Sequence, residues 1–129
     1  SSFNILSKND LAVLHSTSSY PCPPEELNLN MIKTLIKLFP ENPIGYSGHE
    51  SGLSTSIAAA VLGAKIIERH ITTDRALWGT DQAASLGPDG MRKLVGSINS
   101  IILSMGDGVK KVYDSEKNSL RKLRPINDI

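Results

Sequence analysis

The sequence predicts an α/β fold made of successive strand–helix units around a parallel sheet. Three observations carry this. Short apolar, β-branched runs alternate three times with longer stretches of helical period, which implies right-handed βαβ units. Glycine, proline and serine stand at the junctions between the runs. Polar and ionisable residues gather just after each short run, at the C-terminal ends of the strands, where such folds keep their chemistry.

The first unit opens with LAVLHSTSSYP, Leu11 to Pro21, apolar at first and hydroxyl-rich before the proline. It reads as a strand entering a loop. PPEELNLNMIKTLIKLFP then reads as one amphipathic helix. Pro24 suits a first turn, and Glu25 and Glu26 suit its positive end. Leu27, Met31, Ile32, Leu35, Ile36 and Leu38 or Phe39 recur at helical spacing, and Pro40 stops the run.

NPIGYSGHE is a second strand ending in a glycine-rich loop. SGLSTSIAAAVLGA follows as an Ala-rich helix, entered near Ser51 through a Ser/Gly cap and left at Gly63. The third unit begins with IIERHITTD, Ile66 to Asp74, which has the residues of a buried strand but carries Glu68, Arg69 and His70 in its middle. A buried ionisable group costs several kcal/mol unless it has a partner, so this strand needs a reason for its charges. The long loop DRALWGTDQAASLG comes next. A helix from about Pro88 then aligns Met91, Leu94, Val95, Ile98, Ile101, Ile102 and Met105 on one face, and Gly106 to Gly108 end it. The last twenty or so residues are polar and read as a linker with room for a short helix.

The bulk numbers exclude several classes. The 129 residues suffice for one domain, with 40% hydrophobic and 21% charged content. A net charge of +1 leaves no electrostatic footprint for nucleic acid or an anionic membrane. Lys110, Lys111 and the basic tail from Arg121 to Arg124 read as solvated surface. No apolar run reaches the length of a membrane span, and no signal peptide is visible. The single Cys22 excludes an intrachain disulfide and a cysteine-type zinc site, and it points to a reducing, cytoplasmic setting. The chain starts Ser1-Ser2 without Met, which is expected of an excised or incomplete piece.

His49 and His70 fall at or near the ends of consecutive strands, where two imidazoles suit a divalent metal completed by carboxylates or water. Hydrogen-bonded structural histidines remain the alternative. Ser47 lies between Gly45 and Gly48 beside a helix start, which favours an anion such as phosphate or else marks an ordinary turn. Tyr20 could pack on a polar ligand or cover the rim of the sheet. Asp81 is either a loop functional group or a solvated carboxylate, and Trp78 a lid or a packing anchor. Glu68 shares a strand face with His70 and is a candidate partner behind a metal ligand, while Arg69 points the other way. His15, early on its strand, reads as structural.

The segments HSTSSYPCPPEELNLN, IGYSGHESG, LGAKIIERHITTD and GTDQAASLGPDGMRKLV, in that order, resemble the sialic acid synthase (N-acetylneuraminate synthase) family from about Leu11 to Leu103. The resemblance implies a (β/α)8 barrel followed by an antifreeze-like domain. It implies condensation of phosphoenolpyruvate with N-acetylmannosamine, or its 6-phosphate, to N-acetylneuraminate and phosphate, with a divalent metal, Mn2+ or Mg2+. His49 and His70 match the metal-ligating, catalytic histidines. Ser47 matches the serine that holds the phosphate of phosphoenolpyruvate, Tyr20 the tyrosine beside the N-acetyl group, and Asp81 an aspartate on the acceptor hydroxyls. Ser18 falls where some members carry an asparagine near phosphoenolpyruvate.

On this resemblance, residues 1–108 correspond to the last three strand–helix units of the barrel, and 109–129 to a linker toward an absent antifreeze-like domain. The earlier units, with their carboxylates and lysines, have no counterpart, nor does the arginine of the antifreeze-like domain. Gly87 replaces an acidic residue common before the last helix. The expected chain is thus part of a site, inactive alone and self-associating as a homo-oligomer through open sheet edges. Synthases of legionaminic or pseudaminic acid, a metal-dependent hydrolase that adds Asp74 to the same residues, and a non-catalytic scaffold are the competing readings.

Overall fold

The structure, a computed structural model, describes residues 11–123, with side chains to residue 120. The basic tail expected from Arg121 to Arg124 lies outside the described side chains. The architecture is α/β. Strands β1 (Val13–Ser16), β2 (Ile44–Gly48) and β3 (Ile66–Arg69) form one parallel sheet in the order β1-β2-β3. Helices α1 (Met31–Leu38) and α2 (Ser54–Val61) connect them. Helix α3 (Pro88–Ser104) packs on α2, and α4 (Asp114–Leu123) follows in the polar C-terminal segment.

Registers run Val13 to Ile44 through Ser16 to Ser47, and Gly45 to Ile66 through Gly48 to Arg69. The three strands therefore end almost level, which brings their following loops together. Alternation along the strands divides the sheet into two faces. Ile44 and Tyr46, with Val13 and Ile67, face the helices and join Ile32, Ala59 and Ala64 in the core. Ser47 and Glu68, which pair across β2 and β3, face the other way.

Helix α2 ends in a Schellman turn. Gly63, at φ 110°, donates to Ala60 O, and Ala64 donates to Ala59 O. Glycine takes that left-handed position without a Cβ penalty. The start of α2 differs from the expected one. The helix begins at Ser54 after Leu53, and no side chain caps it.

The single helix expected from Pro24 to Pro40 is two pieces. Pro24–Glu26 is a 3-10 turn, and α1 begins only at Met31. Asn28 sits between them at φ 44°, a left-handed conformation that asparagine tolerates better than most residues and that a helix cannot contain. The carbonyl of Leu27 is committed to His15 Nε2 at 2.7 Å, which gives His15 its structural role.

Two further expectations change. Strand β3 stops at Arg69, after which Ile71 makes an isolated parallel bridge to Leu86. It is a sheet edge within the described residues, and Ile66 is 38% exposed, so the run is not a buried strand. On α3 the apolar stripe is only partly covered: Leu94 is buried, while Val95, Ile102 and Met105 are exposed. No helix of the described residues is long and apolar enough to cross a membrane.

Candidate functional site

The site forms where the chain leaves the three strands. His49 follows β2 by one residue and His70 follows β3 by one. Because Gly48 and Arg69 are register partners, the two histidines emerge at the same level. Their rings lie 5.3 Å apart, edge to face. Tyr20, from the loop after β1, completes an aromatic triad. It stacks on His70 at 4.7 Å and meets His49 edge-on at 5.2 Å. Its hydroxyl is 3.2 Å from Ser85 Oγ, and Ser85 Oγ donates to Asp81 O.

Hydrogen bonds orient the imidazoles. His49 Nδ1 lies 2.6 Å from Thr17 O. A carbonyl only accepts, so Nδ1 carries a proton, and in the neutral tautomer Nε2 has the lone pair. The backbone of His49 is fixed as well, since Cys22 N donates to its carbonyl. His70 Nδ1 faces Asp81 Oδ2 at 3.4 Å, and Thr80 Oγ1 donates to the other oxygen of that carboxylate. A backbone carbonyl behind one imidazole and a carboxylate behind the other is the support that metal-binding histidines ordinarily have. Two imidazoles on neighbouring strand ends, each with Nε2 still to offer, suit a divalent cation, with the rest of its shell from water or other oxygens. Among the described residues no group of three or more His, Cys, Asp or Glu forms a metal cage.

The loop from Asp74 to Ser85 folds back against the sheet. Leu86 N donates to His70 O, Thr72 N donates to Leu86 O, and Arg75 donates to Ala83 O. That return places Asp81 beside His70 although eleven positions separate them in sequence. Trp78 is fully exposed and is no packing anchor.

Ser47, Glu68 and Ser18 are placed as follows. Ser47 is buried, but its hydroxyl donates to Glu68 Oε1 at 2.7 Å, and the nearest helix starts seven residues later. An anion at Ser47 has to displace Glu68 from it. Glu68 is therefore committed to Ser47, and the carboxylate behind His70 is that of Asp81. Ser18 is exposed on the loop after β1.

The buried charges of this region lie on the helix-facing side of the sheet. Glu50 and Arg69 form an ion pair at 3.0 Å with side chains 3% and 1% exposed. Tyr46 Oη and Ser56 Oγ both donate to the Glu50 carboxylate. Burial alone would raise the pKa of Glu50, but its hydrogen bonds, led by that from Ser56, hold it below the ordinary value. Sequence reasoning passed over Glu50, Tyr46 and Ser56. The signal was available: Arg69 shares the apolar face of Ile67, and a cation on a buried face needs an anion at matching register.

Comparison with known proteins adds an independent line. Residues 2–110 match the sequence model of the NeuB family. The chain is 46% identical over 110 residues to N-acetylneuraminate-9-phosphate synthase of Homo sapiens, covering 85% of this chain and 31% of that protein. It is 39% identical over 126 residues to N,N'-diacetyllegionaminic acid synthase of Campylobacter jejuni, covering 94% and 37%. Among solved structures it is similar to spore coat polysaccharide biosynthesis protein spsE of Bacillus subtilis, with a TM-score of 0.74 at 38% identity over 82% of this chain and 30% of that one. It is also similar to the N-acetylneuraminic acid synthetase of Leptospira borgpetersenii in complex with citrate, with a TM-score of 0.72 at 38% identity over 86% and 39%. The chain spans about a third of the length of the curated relatives it matches.

Proposed function

The chain belongs to the NeuB family, and from that premise we propose that it carries the last three strand–helix units of a nonulosonic acid synthase barrel, with about half of the site. The reaction is condensation of phosphoenolpyruvate with an N-acetylated amino sugar, N-acetylmannosamine or its 6-phosphate in the leading reading, to a nine-carbon acid and phosphate. A related acceptor that leads to a legionaminic acid fits the same residues. One observation carries the proposal: two imidazoles from consecutive strand ends meet edge to face at 5.3 Å, and the Nδ1 of each is directed to an oxygen.

His49 and His70 would hold a divalent cation, Mn2+ or Mg2+, through Nε2. Bound there, the cation supplies Lewis-acid polarisation of the acceptor aldehyde. The chain's own residues do the positioning. Tyr20 walls one side of the histidine pair and offers its ring to the N-acetyl group. Asp81, 52% exposed, can accept from acceptor hydroxyls while it faces His70. Ser47 would turn from Glu68 to the phosphate of phosphoenolpyruvate, with Ser18 at the edge of the same opening. The lone cysteine fits a cytoplasmic setting.

Among the described residues, the one buried cation, Arg69, is already paired with Glu50. The described site therefore offers no buried positive charge to a doubly charged phosphate, and turnover by the 129-residue chain alone is expected to be slight. Within the described residues β1 and β3 are the edges of the sheet, which favours self-association. Titration with Mn2+ followed by phosphoenolpyruvate, read by calorimetry, tests the site. Phosphoenolpyruvate binding that requires Mn2+ and is weakened by Ser47→Ala supports it. Binding indifferent to both removes it. Rapid phosphate release from both substrates would overturn the half-site reading.

A further inference from the structure

The spacing of His49 and His70 is held from the opposite face of the sheet. Arg69, the residue before His70, reaches across to the residue after His49. Its Nη1 donates to Glu50 Oε1 at 3.0 Å and to Gly52 O at 2.7 Å, and its Nη2 donates to Glu50 O at 2.7 Å. One guanidinium thus grips both the side chain and the backbone of the turn that follows His49. Ser56 Oγ, on α2, accepts from the same Nη1 and donates to Glu50, which locks the turn to the helix. On its other side His49 is tied to the β1 loop through Thr17 and Cys22.

Gly48 makes the crossing possible. A Cβ at this position would lie 2.6 Å from Glu50 Oε2, 2.8 Å from Arg69 Cδ and 2.9 Å from Tyr46 Cε1. The stem of Arg69 passes where that methyl group would be.

Fold stability alone does not call for such a pair. Well-packed apolar residues in place of a buried ion pair are often neutral or stabilising. What they do not reproduce is a planar fork that fixes two strand ends in direction as well as distance.

We propose that Glu50 and Arg69 are positioning residues whose buried pair sets the separation and mutual angle of the His49 and His70 rings, and through it the ability of the two imidazoles to bind one divalent cation together. The cation clause rests on the reading under Proposed function, whereas the geometric clause does not.

The test uses the full chain as Glu50→Gln with Arg69→Met. This pair of changes removes both charges together and leaves an amide for Tyr46 and Ser56. Arg69→Lys keeps the buried charge but lacks the fork, and it serves where the double variant does not fold. Ring-to-ring nuclear Overhauser contacts among Tyr20, His49 and His70 report the geometry, and Zn2+ titration reports joint binding. The expected result is a cooperative melt, weakened contacts between the rings, and Zn2+ affinity reduced about tenfold, the low end of what losing a group that orients a metal ligand costs. Wild-type ring contacts in a cooperatively folded variant overturn the proposal, whatever the zinc affinity. If His49→Ala leaves wild-type zinc affinity unchanged, the cation reading fails and the ring contacts decide alone.

Discussion

On the helix-facing side of the β2–β3 sheet end, Glu50 takes hydrogen bonds from Tyr46, Ser56 and Arg69, and the residues that give and receive them are almost wholly buried. On the opposite side, His70 meets Asp81 at 3.4 Å with side chains 38% and 52% exposed. The two faces share the same backbone at Gly48, His49, Arg69 and His70. One face pairs most of its polar groups in a low dielectric, Arg69 Nε being a buried exception, and there each bond is directional and expensive to lose. The other leaves donors and acceptors unsatisfied and open to a ligand. The two work together: contacts with Thr17 and Asp81 orient the rings on the open face, and the buried pair holds the strand ends that carry them.

The contrast is tested hardest by Arg69→Met. It strands Glu50 as an unpaired buried carboxylate, and breaking one side of a buried pair costs about 3–5 kcal/mol. Urea unfolding should show a loss of this order. A loss below about 1 kcal/mol would mean that water reaches Glu50 and that the two faces do not differ as described.

Tyr46→Phe is the next largest. It removes a hydrogen bond to a charged acceptor, worth about 1.5–3 kcal/mol. It also changes the response to alkali. Burial first, and then the bond to Glu50, hold the Tyr46 phenol well above its ordinary pKa of 10.0. Above that pH the unfolded chain releases this proton while the folded chain keeps it. The unfolded state then binds fewer protons, and stability falls as pH rises. Below pH 10 the contribution is intact. Unfolding midpoints compared at about pH 9 and about pH 11 should drop in the wild type by more than in Tyr46→Phe. Equal drops in both proteins would place the phenol in contact with water.

How much of this was legible in the residues follows from the range of each interaction. The alternation of β1, α2, β3 and α3 could be read because apolar period and glycine stops are local signals. The break at Asn28 could not, since it depends on Leu27 O being taken by His15 from a different element. The histidine pair was legible from two strand ends in one parallel sheet. Its supports were less so: the loop return that brings Asp81 to His70 needs the Ile71–Leu86 bridge, and nothing in the DRALWGTDQAASLG stretch announces that bridge. The charged middle of IIERHITTD drew attention to His70, while the buried charge that needed explaining was Arg69, whose partner Glu50 lies in another unit of the chain.

His49→Ala acts on the open face and should be milder in stability. It removes one hydrogen bond, to Thr17 O, from a half-buried residue, for about 0.5–1.5 kcal/mol. Its larger effect is expected on cation binding, which should fall below detection in the Mn2+ titration.

The smallest effect is expected of Asp81→Asn. The carboxylate is about half in solvent, and an exposed contact of this kind contributes about 0–1 kcal/mol. An asparagine oxygen can still receive the Thr80 hydroxyl and face His70 Nδ1. Stability should therefore move by no more than about 0.5 kcal/mol in the urea measurement that registers Arg69→Met. What should change is the state of the His70 ring. With an amide in place of an anion, Nδ1 loses its charged acceptor, and the 15N shifts of that imidazole should move while those of His49, held by a backbone carbonyl, stay. An Asp81→Asn variant as destabilised as Arg69→Met would show that the open face also holds the fold together, and the division of labour across the sheet would be wrong.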